Sequence, residues 1–88
     1  MILPDVNLLV YAVDETGPWH DAARTWWENT LNASTPVALC YASILDFIRL
    51  TTNARIFQSP LGVDEALEIV ESWLERPNTR LISPGIRH

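Results

Sequence analysis

At 88 residues the chain holds one domain at most, and a net charge of −5 leaves too little positive potential to grip nucleic acid through bulk electrostatics. The basic residues are all arginine, five of the six lying after Ile48, so attraction to a phosphate backbone would rest on local arginines and bound cations. A globular composition (48% hydrophobic, 19% charged), a single cysteine that excludes an internal disulfide, and no visible signal peptide together predict a cytoplasmic protein with no membrane partner.

Residues 1–4 read as a short buried strand stopped by Pro4 and Asp5. Residues 7–13 then read as a short helix. The apolar run they belong to is broken by Asn7 and is far too short to span a bilayer. Thr16-Gly17-Pro18 marks a helix start, because the missing N–H of proline costs nothing in a first turn. From Trp19 to about Leu31, the positions Ala22, Ala23, Trp26, Trp27, Thr30 and Leu31 recur at three-to-four spacing. Trp26 and Trp27 differ by about 100° around such a helix, which leaves one ring for a partner. Residues 32–36 form a turn and residues 37–40 a second short strand.

Residues 42–53 read as a helix with Ile44, Phe47, Ile48 and Thr51 as its apolar stripe. Gly62 serves as the N-cap of the next helix. Asp64 and Glu65 fall in its first turn, where the helix dipole favours negative charge. Val63, Ala66, Leu67, Val70 and Leu74 repeat with helical period, and Glu68, Glu71 and Glu75 read as solvated. Pro77-Asn78 ends this helix, residues 80–83 form a third strand, and Pro84-Gly85 is a turn. Short apolar strands alternating with helices predict an α/β fold with a parallel sheet covered on both faces. The functional site of such a sheet lies at the carboxyl ends of its strands.

Asp5 stands at such an end. An Asp between a strand and a helix also serves as an N-cap, so both readings are open. Asn7, two residues on, is placed to orient Asp5 or a metal-bound water, or is an ordinary polar residue of a first turn. Asp46 lies in an otherwise apolar stretch. Helical spacing puts Ala42, Asp46, Arg49 and Asn53 on one face, and Asp46 either turns toward a cleft or pairs with Arg49. Two carboxylates that converge can hold Mg²⁺, which keeps several waters and offsets charge on a phosphodiester. Spacing alone does not establish that convergence. His20 reads as structural or surface, and Cys40 as a small core residue with no histidine near it in sequence.

Four stretches, in order, resemble the VapC-type PIN-domain toxins of bacterial and archaeal toxin–antitoxin pairs. They are Ile2-Leu3-Pro4-Asp5-Val6-Asn7-Leu8-Leu9-Val10-Tyr11-Ala12, Phe47-Ile48-Arg49-Leu50-Thr51-Thr52-Asn53, Ala54-Arg55-Ile56-Phe57 and Ser83-Pro84-Gly85-Ile86-Arg87-His88. The resemblance implies a PIN-like three-layer α/β fold, here about three strands and four helices. It implies that residues 1–88 form the front part of a single domain. The activity it implies is an RNA endonuclease using Mg²⁺ or Mn²⁺ held by acidic residues. Asp5 matches the first acid, and Asp46 falls where the second, usually Glu, precedes a Phe–aliphatic–Arg run. The shorter side chain draws the carboxylate back by about 1.5 Å. Asn7 and Arg49 would support the pair. The later acids of the family lie beyond the third strand, so no residue is assigned to them, and His88 receives no catalytic role. The partners implied are RNA, a VapB-like antitoxin and a second toxin chain in a homodimer. A non-catalytic remnant that still binds antitoxin or another toxin chain is the competing expectation. A phosphotransferase using Asp5 as nucleophile fits less well, since that chemistry wants a second Asp where Asn7 stands.

Overall fold

A computed structural model describes residues 1–83. Four helices are present: α1 (Val6–Val13), α2 (His20–Asn32), α3 (Tyr41–Thr51) and α4 (Val63–Leu74). Strands β1 (Val37–Cys40) and β2 (Thr79–Ile82) pair in parallel, with Val37 opposite Thr79 and Cys40 opposite Ile82. The strand expected at residues 1–4 reduces to one parallel bridge, Ile2 to Val37. Its two hydrogen bonds run from Ile2 N–H to Pro36 O at 2.9 Å and from Ala38 N–H to Ile2 O at 2.8 Å. The ladder stops there because Pro4 has no N–H to offer and α1 begins two residues later. The result is a small parallel α/β sheet with β1 in the middle. Successive side chains of β1 point to opposite faces, yet Val37, Ala38 and Leu39 are all buried, so both faces of this strand are covered.

The helices lie where the hydrophobic periods place them, within one or two residues. α2 begins at His20 and not at Trp19, which sits exposed at the N-cap position. The imidazole of His20 donates from Nδ1 to Tyr11 O at 3.1 Å and ties the start of α2 to the last turn of α1, which bears out its structural reading. The threonines of the apolar stripes are buried without loss because they bond back into their own helices. Thr30 Oγ1 donates to Trp26 O at 2.7 Å, and Thr51 Oγ1 to Phe47 O at 2.8 Å.

Phe47, fully buried, occupies the middle of the core with Leu9, Leu39 and Val37 around it. Trp73 lies 4.9 Å from Phe47 between ring centroids and meets Trp27 edge to face. Trp73 and Trp27 are core residues, and of the neighbouring rings of Trp26 and Trp27 the one left for a partner is Trp26, stacked on Trp27 at 6.1 Å and exposed. On α4, Val63 and Leu67 face outward while Ala66, Val70 and Trp73 face the core. Trp73 wins the inner face because its large ring buries more apolar area than either residue. Among the described residues no helix is long and apolar enough to cross a membrane. The expected Pro84-Gly85 turn and His88 lie outside the described residues.

Candidate functional site

Asp5 sits at the N-cap position of α1 with extended backbone (φ −72°, ψ 147°). Its backbone carbonyl accepts from Leu8 and Leu9 N–H, but its carboxylate makes no hydrogen bond to the first amides of the helix. The side-chain capping role is therefore not realised, and the carboxylate is left exposed. Asn7 is exposed on the first turn of the same helix.

Asp46 takes the alternative that helical spacing allows. Arg49 donates from Nη2 to Asp46 Oδ1 at 2.5 Å, with the two side chains 79% and 45% exposed. Both residues line an open depression with Val6, Leu50 and Asn53. The expected shared face of Asp46, Arg49 and Asn53 is present. Ala42 joins Asp46 and Arg49, with Leu45 and Ile48, in a second depression. α3 thus lays its polar face against the start of α1, at the residue that follows Asp5.

Asp46 lines the depression beside Val6, and Asp5 is not among its lining residues. The carboxylates of both offer oxygen, the chemistry of a hard cation such as Mg²⁺ or Mn²⁺ that retains water ligands. Among the described residues no three of His, Cys, Asp and Glu gather closely enough to hold a metal by themselves. A cation here would take one or two carboxylates and complete its shell with water or substrate oxygens.

Two features escaped the sequence reading. Cys40 at the end of β1 places its sulfur 3.2 Å from Ser43 Oγ. Hydrogen bonds from the Ser43 side chain and backbone hold the thiol below its ordinary value, against a smaller opposing effect of burial. The i, i+3 spacing of a strand-end cysteine and a first-turn serine was the available signal. The second feature is a groove between α1, α2 and α4, floored by Ala12, Trp27, Leu31 and Trp73 and rimmed by Arg24, Glu28 and Arg76. It joins residues far apart in the chain, and local periodicity carries no mark of it.

No family model matches the chain. Ribonuclease VapC33 of Mycobacterium tuberculosis is 42% identical over all 88 residues, which cover 62% of that protein. Ribonuclease VapC25 and Ribonuclease VapC37 of the same organism are 38% and 33% identical over all 88 residues, covering 62% and 61% of their lengths. In sequence the chain is similar to these VapC ribonucleases along its whole length. It spans about three fifths of the length of these VapC relatives. The aligned stretch covers all four helices and both strands.

Proposed function

We propose that the chain carries the cation-binding end of an RNA endonuclease of a VapBC-like toxin–antitoxin pair. The observation that supports this reading is the meeting of the polar face of α3 with the N-terminus of α1, in a chain 42% identical to a VapC ribonuclease. Asp5 and Asp46 would hold Mg²⁺ or Mn²⁺. The ion, when bound, supplies charge against a phosphodiester and lowers the pKa of a bound water. Arg49 offers a planar guanidinium matched to phosphate oxygens. Asn7 would hydrogen-bond a water near Asp5. A reducing cytoplasm suits a chain with one half-buried cysteine.

The test is Mn²⁺-induced broadening of backbone NMR signals, together with RNA cleavage. Broadening confined to the first turn of α1 and the middle of α3, and lost in Asp5→Ala and Asp46→Ala, is the expected result. Broadening elsewhere, or unchanged in either variant, would overturn the assignment.

A second reading, a binding module without catalysis, draws on the groove between α2 and α4 and on exposed Trp26. A VapB-like antitoxin segment or a second copy of the chain would be the partner. An antitoxin pull-down that depends on Trp26, with no metal-dependent cleavage, would favour it.

A further inference from the structure

Resting on the reading of Asp46 as a cation ligand, we propose that Arg49 is a built-in competitor for that cation, displaced when a phosphodiester binds Arg49. The guanidinium and the ion call on the same carboxylate, since Arg49 Nη2 already donates to Asp46 Oδ1. Holding both would set two positive charges against each other within a few ångströms. Arg49 and Asp46 are the charged residues that line this depression, beside Val6, Leu50 and Asn53. Arg49 is 79% exposed, so its side chain can swing from Asp46 without disturbing the core. A phosphate entering the depression offers it a better partner, because guanidinium and phosphate can make two parallel hydrogen bonds. Cation and phosphodiester then favour each other's binding, and linkage makes the coupling reciprocal.

An exposed pair at helical spacing shifts an equilibrium by about twofold. The experiment titrates Mn²⁺ into the full chain by water-proton relaxation, for wild type, Arg49→Gln and Asp46→Asn. Each titration is run with and without a 2′-O-methyl RNA oligomer that cannot be cleaved, after correction for Mn²⁺ bound by the oligomer alone. Arg49→Gln should tighten Mn²⁺ binding about twofold. The gain on adding oligomer should be smaller in Arg49→Gln than in wild type by the same factor. If Asp46→Asn weakens Mn²⁺ binding but Arg49→Gln leaves it unchanged or weaker, the competition is absent while the site reading stands. If Asp46→Asn changes nothing, the site reading itself fails, and the competition with it.

Discussion

Trp27 of α2 and Trp73 of α4 meet edge to face, their ring centroids 5.4 Å apart and their planes at 88°. Phe47 of α3 completes the group from the other side of Trp73. Three helices are joined through these rings, and two of the contacts link residues more than twenty positions apart. Trp73→Ala should therefore cost about 3–5 kcal/mol, near the whole stability of a small domain, and abolish cooperative melting. Trp26→Ala, on the outer side of the same stack, should cost about 1 kcal/mol or less. Urea denaturation of both variants checks the contrast, and equal losses would contradict it.

Gly62 supplies only the backbone half of a capping box. Its N–H donates to Glu65 Oε1 at 3.0 Å, but glycine has no side chain to return a bond to the Glu65 amide. The backbone at Gly62 is ordinary extended (φ −71°), and an added Cβ would approach Glu65 Oε1 no closer than 3.4 Å. Gly62→Ser should complete the box and stabilise the fold by roughly 0.5 kcal/mol, a rise of about 2–4 °C in melting temperature. A fall in melting temperature would show that the cap geometry is misread.

Cys40 should react faster than an unstructured cysteine. Its thiol is held below its ordinary value chiefly by Ser43, so more thiolate is present at neutral pH. Iodoacetamide labelling followed across pH should show a lowered midpoint, and Ser43→Ala should move that midpoint upward. Because the folded thiol ionises below the unfolded one, stability rises with pH through the window between the two values and is fully gained only above the unfolded value. A midpoint insensitive to Ser43→Ala would remove the serine as the cause.

Leu3 is 63% exposed beside the Ile2 bridge, and Met1 is more exposed still. Among the described residues, the backbone hydrogen bonds of residues 1–4 run to Pro36 and Ala38 on the β1 side. An apolar segment with an open far edge invites pairing with another chain. Leu3→Lys should reduce concentration-dependent association in sedimentation velocity while changing stability by less than about 0.5 kcal/mol. Association unaltered by the lysine would place the contact elsewhere.

The helices were legible because apolar residues repeat at 3.6-residue spacing and because Pro18, Gly62 and Pro77 punctuate the chain. The first strand was overread. A run of apolar residues ahead of Pro4 looks the same whether its backbone pairs at one residue or at four. Val63 and Leu67 belong to the helical repeat read for α4 yet face outward, since periodicity alone cannot say which of two overlapping apolar arcs on α4 meets the core. Asp46 stood out as a carboxylate in a largely apolar helix. Whether it would turn to a cleft or to Arg49 was left open, and the structure shows both at once: the pair itself lines the depression.

The sequence by itself determined the element order, the parallel α/β character and the VapC likeness, because these rest on local spacing and on residue identity in order. It also marked Asp5 and Asp46, since a carboxylate at a strand end or within an apolar helix is conspicuous without coordinates. Only the tertiary structure decided which tryptophan is buried, that β1 lies between Ile2 and β2, and that the polar face of α3 adjoins the start of α1. Those relations depend on how helices pack across the sheet, where side-chain volume and the match between distant surfaces, not neighbouring residues, set the lowest free energy.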